Sequence, residues 1–250
     1  MDYGLYVAAA GADTQSRRME VLSNNLTNVD TPGFKEELAI LQARHSRAIR
    51  DGKEPPGRGG INDLGSGVSM AETQTDFAAG QFKHTGYKWD AAIRGDGFFV
   101  VDDGERQLLT RAGNFQLDGD GNLLTQQGFR VLDAEGSPIV VNPNMYSQIH
   151  KDGWVEHSGG GQLLGLVKPE SLGDLARVGN NTFNPLGPVT NVARNERTVE
   201  PGFLELSGVK PTESMMKLIE TSRMYEANAR MIQNHDQMTG SLVNRILTAQ

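Results

Sequence analysis

With 250 residues, of which 37% are hydrophobic, the chain is long enough for one or two domains with a buried core. Its formal charge of -7 argues against nucleic acid or an anionic membrane surface as partner, because phosphates need a basic face. There is no cysteine, which excludes disulfides and thiolate metal sites, and no apolar run approaches the roughly 20 residues of a spanning helix.

The start, Met1 to Ala12, lacks the basic region, apolar core and cleavage site of a secretory signal, so no cleaved leader is expected. The first predicted element is a helix from Tyr3 to Asn28. On it Leu5, Ala8, Ala12, Gln15, Met19, Leu22, Leu26 and Val29 recur at steps of three and four, a heptad seam with one polar slot at Gln15. Asn28-Val29-Asp30-Thr31-Pro32-Gly33 ends it, since proline disfavours helix in the preceding residue and glycine frees the turn. Phe34 to Arg50 reads as helical or extended, and Asp51 to Gly67, rich in glycine and proline, reads as a linker.

From about Val68 to Leu206 short apolar runs are cut by Asp96-Gly97, Asp103-Gly104, Asp118-Gly119, Asp120-Gly121 and Asp152-Gly153. These dipeptides supply positive φ at low cost, which predicts hairpins. The strongest strands are Phe98 to Val101, Asn114 to Leu117, Phe129 to Leu132, Ile139 to Val141 and Gly165 to Val167. Phe99, Val101, Phe115, Val131, Val141 and Trp154 are expected in the core. The last element is a helix capped by Thr212, with a seam of Met215, Leu218, Ser222, Tyr225, Ala229, Ile232, Asp236, Thr239, Val243 and Ile246. Met224, Met231, Met238 and Leu242 form a second stripe beside it, so this helix is built to touch more than one neighbour. The whole predicts an α+β fold in which paired, coiled-coil-like terminal helices flank a central, mostly antiparallel β domain. Its segments are a first helix (1–34), a connecting arm and loop (35–67), the β domain (68–206) and the last helix (207–250).

No motif anchors an enzyme, a cofactor, a metal or a small-molecule substrate. Asp118, Asp120 and Asn122 start like a calcium loop, but Leu123 and Phe129 stand where glycine and a bidentate glutamate belong, which favours a tight turn. The five histidines show no ligand spacing, and the glycine clusters complete neither a dinucleotide nor a phosphate fingerprint.

Ser23-Asn24-Asn25-Leu26-Thr27-Asn28-Val29-Asp30-Thr31-Pro32-Gly33-Phe34-Lys35 resembles the N-terminal signature of bacterial flagellar rod and hook proteins. The resemblance continues in Gly95-Asp96-Gly97-Phe98-Phe99-Val100-Val101, in Thr110 to Asp118, and in Glu205-Leu206-Ser207-Gly208-Val209-Lys210-Pro211 leading into Ile219 to Asn228. The single β region and short length are similar to the basal-body rod type, FlgF/FlgG. Lys210-Pro211 is more like the proximal-rod subtype, while the N-terminal signature is shared with the distal one. Relatives usually carry asparagine where this chain has Gly208.

The resemblance implies a non-catalytic subunit whose terminal helices form the inner layer of a helical tube. Its partners are then itself and other rod subunits, the neighbouring hook and ring proteins, and the flagellar type III export apparatus, which exports members uncleaved into a basal body that crosses the periplasm. Leu5, Met19, Leu22, Leu26, Val29, Leu218, Tyr225, Ile232, Val243 and Ile246 are the expected inter-subunit packing residues. Asn24, Asn25, Asn28, Thr31, Pro32, Gly33 and Phe34 carry the signature. For the three asparagines two roles stay open: amide bonds between subunits that fix register, and termination or capping of the helix.

Overall fold

The computed structural model describes residues 3–45, 49, 51–53, 55, 67–142, 146–157 and 160–247. It divides into two compact units, one of residues 1–27, 37–76 and 210–250 and the other of residues 28–36 and 77–209.

The first unit holds two helices and a hairpin. Helix α1, Tyr3–Thr27, ends one residue before the predicted Asn28. The following stretch resolves to a strand, β1 (Glu37–Ala43), which pairs antiparallel with β2 (Val68–Thr75) across a register shift between Ile40 and Leu41. Most of the glycine- and proline-rich segment that joins them lies outside the described residues. Helix α2 runs Pro211–Leu247. Thr212 does not cap it: Pro211 occupies the first helical position, where its fixed φ suits a helix and its missing N–H goes unneeded, and the Ser214 amide donates to the Lys210 carbonyl at 2.9 Å. Helix α1 packs against both α2 and the hairpin. It buries Ala8, Thr14, Val21, Leu22 and Asn25. At Gly11 the absent side chain leaves room for the Asn228 amide, which an added Cβ would meet at 3.1 Å.

The second unit is antiparallel β throughout its described pairings. Its strands are β3 (Phe82–His84), β4 (Ala91–Ile93), β5 (Phe98–Asp102), β6 (Gln107–Thr110), β7 (Gln116–Leu117), β8 (Leu123–Leu124), β9 (Arg130–Val131), β10 (Ser147–Ile149), β11 (Trp154–His157) and β12 (Gly160–Leu163). The chain continues through β13 (Leu166–Pro169), β14 (Leu175–Gly179), β15 (Thr182–Pro185), β16 (Val189–Asn191), β17 (Val199–Pro201) and β18 (Phe203–Glu205). The main sheet has the order β14-β15-β6-β5-β9-β8-β7, with β13 also on β5 and β16 outside β13. Strands β10-β11-β12 form a second sheet, and β17 pairs with β4 and β18 with β3.

Strand β5 is central because Phe98 to Val101 is buried on both faces, a continuous apolar run of the kind that both sides of a sheet require. Phe99 and Val101 face one cluster with Phe115, Val131, Val141 and Val155, while Phe98 and Val100 face another with Leu109 and Phe183. Trp154 is only half-buried. In β11 the two-residue alternation turns Val155 inward, and Trp154 lies instead beneath the Arg194 guanidinium, 4.7 Å from its ring centroid. Ile139 to Val141 forms an isolated bridge at Val140 instead of a strand. Of the turn glycines, Gly97, Gly104, Gly121 and Gly153 have positive φ, whereas Gly119 does not, because Gly121 supplies that conformation in the same turn.

Candidate functional site

The loop that follows α1 folds on itself before it meets the sheet. The Asn28 carbonyl accepts from the Thr31 amide at 3.2 Å and its side-chain oxygen from the Thr31 hydroxyl at 3.2 Å, while the Phe34 amide donates to the Thr31 carbonyl at 3.3 Å. Thus Asn28 acts here as a local turn cap. Gly33 sits at φ 67°, and a Cβ there would lie 2.4 Å from the Arg111 backbone. Only glycine fits this approach. The Gly33 amide donates to the Glu205 carbonyl at 2.8 Å, and the Pro32 carbonyl accepts from Asn181 Nδ2 at 2.9 Å. Phe34 is buried, with the Arg177 guanidinium 4.3 Å from its ring centroid.

Behind this loop lies a buried cluster of charges. Lys35 Nζ donates to Glu205 Oε1 at 2.6 Å and to the Ala78 carbonyl at 2.8 Å, and the Gly80 amide donates to the same carboxylate oxygen at 2.9 Å. Arg111 Nη1 stands 3.5 Å from Glu205 Oε2, and Nη2 donates to the Gly95 carbonyl at 2.8 Å. Burial lowers the pKa of the Arg111 guanidinium, opposed by the charges of Glu205 and Asp96. The Lys35 and Glu205 side chains are each 1% exposed. Such a pair gives little net stability over an apolar one, yet it is costly to break, because a lone buried charge then remains. It therefore fixes an arrangement more than it deepens it. Residues of all four motifs meet here: Gly33, Phe34 and Lys35; Gly95; Arg111; and Glu205. This is a positioning device in which backbone groups share the load, although Arg111 Nε and Glu205 Oε2 are buried without a hydrogen-bond partner among the described residues.

Asn25, also in the signature, is fully buried in the first unit. Its Nδ2 donates to the Glu37 carbonyl at 2.8 Å and its Oδ1 accepts from the Glu37 amide at 3.0 Å. Within the subunit the amide is thus engaged by the Glu37 backbone, as local capping requires. Asn24 is exposed on α1.

The predicted packing residues fall in different surroundings. Leu22 is buried, and Leu5, Met19 and Leu26 on α1 and Leu218 and Ile232 on α2 are half-buried. Val29 is half-buried beyond the helix end, in the second unit. Tyr225 and Val243 are exposed, and the side chain of Ile246 lies outside the described residues. Sequence reasoning missed the small polar residues that line the covered faces, Thr14, Ser214 and Thr221. Thr221 bonds the Lys217 carbonyl at 2.7 Å, and the Thr14 hydroxyl lies 2.8 Å from both the Ala10 carbonyl and the Val68 carbonyl of β2. An apolar-only template cannot register them; a small-residue template at the same spacing finds them.

Along α2, Met215, Met216, Ile219, Met224, Met231, Met238 and Leu242 are exposed at 41% to 64%. No cluster of metal-ligating residues occurs among the described residues, and no described helix is long and apolar enough to cross a membrane. The fold and site define a structural subunit that keeps its loop geometry rigid and leaves a long apolar helix face uncovered. Three family models match: flagella basal body rod protein (residues 5–35), the flagellar hook protein FlgE/F/G D1 domain (92–157) and the flagellar basal body rod FlgEFG protein C-terminal region (200–245).

Among similar proteins, the flagellar basal-body rod protein FlgF of Caulobacter vibrioides is 32% identical over 98% of this chain and 98% of its own length. FlgG of Bacillus subtilis is 31% identical over 96% of this chain and 97% of its own. The flagellar hook protein FlgE of Treponema pallidum is 36% identical over 46% of this chain and 25% of its own length. The chain belongs to the flagellar basal-body rod protein family, and its role is structural, not enzymatic.

Proposed function

We propose that this chain polymerises through its terminal helices into the flagellar rod, α1 and α2 forming a coiled-coil-like inner layer and the β unit the outer one. The observation that carries this reading is the exposed apolar row on α2. A head-to-tail contact that does not close generates an open filament, and such a row is the surface it needs. Leu5, Met19, Leu26, Leu218, Tyr225, Ile232 and Val243 complete the packing surface in this reading, while Leu22 acts mainly within the subunit. The other partners are rod and hook subunits; ring proteins and the type III export apparatus, with passage across the periplasm without cleavage, follow from the family's biology.

We infer the proximal rod as its position, on Lys210-Pro211 and the compact length; similar identities to FlgF and FlgG leave the distal position as the rival. The test replaces Met224, Met231 and Met238 together by serine. Cells carrying this variant are expected to lack rods in electron micrographs of isolated basal bodies, and rods of normal length would overturn the inner-layer reading. In the same micrographs, gold labelling of the wild-type chain near the cell-proximal end supports the proximal position, and labelling near the hook overturns it.

A further inference from the structure

The second unit carries two further surface features, one of them bordering its core and charge cluster. One is a recess of about 480 Å³ whose lining includes Phe77, Phe98 and Leu172, the acids Asp96 and Glu170, and the cations Arg111 and Lys168. Leu172 is 48% exposed at this recess. Asp96 is neutralised by Lys168 at 2.8 Å, whereas exposed Glu170 has no ion pair among the described residues. The other surface is the turn of Tyr87 to Asp90, closed by the Asp90 amide on the Tyr87 carbonyl at 3.2 Å. Its Tyr87 is 72% exposed. Lys88 rests its ammonium 4.7 Å from the Trp89 ring centroid and likewise has no ion pair among the described residues.

We propose that the Tyr87-Lys88 turn of one copy docks into this recess on a second copy. The tyrosine ring lies against Phe77, Phe98 and Leu172, and the Lys88 ammonium meets Glu170. The recess is in the size range that accepts a group of this bulk, and a rigid aromatic anchor entering an apolar pocket is the usual centre of a protein interface. Arg111 and Lys168 in the lining are paired with Glu205 and Asp96, so Glu170 is the charge left to meet Lys88, and the contact is complementary and not merely apolar. It joins unlike surfaces, so each copy can offer one and receive the other, the head-to-tail arrangement from which a filament is built when its rotation does not close.

The inference rests on the polymerising-subunit reading, and its test separates the two. Because the chain has no cysteine, Tyr87→Cys and Leu172→Cys introduce defined thiols. Cells co-expressing the two single variants should, after mild oxidation of isolated basal bodies, yield a disulfide-linked dimer of this chain. Replacing Tyr87→Cys by Tyr146→Cys, at an equally exposed tyrosine, should yield none. In purified full-length chain, Lys88→Glu should weaken self-association about tenfold, and Glu170→Lys in the same chain should restore it. Normal rods without the cross-link, a cross-link only to another protein, an equal yield with Tyr146→Cys, or self-association that is absent or indifferent to Lys88→Glu each overturn the contact. The first of these leaves the rod reading intact. A cross-linked dimer found only outside rods supports the contact and counts against the rod reading.

Discussion

Gly208 and Gly113 look alike in the sequence and do opposite work. A Cβ at Gly113 would fall 1.6 Å from the Ala91 carbonyl oxygen, whereas one at Gly208 would meet nothing nearer than the Phe34 carbonyl oxygen at 3.7 Å. Gly208→Asn, the residue usual in relatives, is therefore expected to change unfolding free energy by less than about 0.5 kcal/mol. Gly113→Ala should cost more than about 4 kcal/mol, because backbone must move; urea titration of each variant checks both. Lys35→Met removes the main partner of Glu205 and is expected to cost about 3 to 5 kcal/mol in the same assay. Asp118 makes the contrasting case of a half-buried turn acid with no cation beside it among the described residues. The Asn122 side chain, followed by the backbone amides of Asn122, Asp120 and Gly121, holds its pKa below the ordinary carboxylate value against desolvation. A lowered folded pKa means that its contribution is complete above the unfolded value of about 3.9 and is lost as pH falls through the folded one. Its carboxyl resonance should accordingly titrate below that of a solvated aspartate. The turn donors occupy the oxygens that a calcium loop would need free, so millimolar calcium should leave that titration unmoved.

At the scale of elements, Asn25 works as a one-residue strand. Its amide offers Glu37 the donor and acceptor that a neighbouring backbone offers elsewhere, so β1 begins extended against α1. This is why a stretch that reads as helical or extended becomes a strand: the decision rests on one side chain twelve residues away. Asn25→Ala deletes both bonds from a buried site and should cost about 1 to 3 kcal/mol. Amide exchange in β1 and β2 should speed up with it, while β5 keeps its protection. Other elements were legible because their signals were local. A continuous apolar run placed β5, Asp-Gly turns placed the hairpins β5-β6 and β7-β8, and the proline placed the end of α1. Trp154 and the start of α2 depart from expectation for physical reasons: alternation turns Val155 and not the aromatic ring inward, and Pro211, with its fixed φ and no N–H to satisfy, takes the first helical position ahead of the cap-type Thr212. The signature motifs were legible as a family pattern, but the charge cluster that they form was not, since Lys35 and Glu205 are 170 residues apart.

For the whole molecule, the apolar row on α2 sets how stability depends on concentration. The first unit buries its small residues inward and leaves Met216, Ile219, Met231, Met238 and Leu242 more than half exposed. Covering each in an assembly is worth on the order of 1 kcal/mol, taking half of the gain for full burial of such a side chain. A partner that binds only the folded chain raises its apparent stability by mass action. If that partner is another copy, the melting temperature must climb with protein concentration, by a few degrees for each 1 kcal/mol gained in a chain of this size. Scanning calorimetry of full-length protein at tenfold concentration steps should show this rise for wild type. It should be flat for the triple serine variant, whose dilute-limit melting temperature stays close to wild type because those methionines contact little in the lone subunit. A wild-type melting temperature independent of concentration would show that the row is covered within the chain or by a different protein, and self-assembly through α2 would then have to be given up.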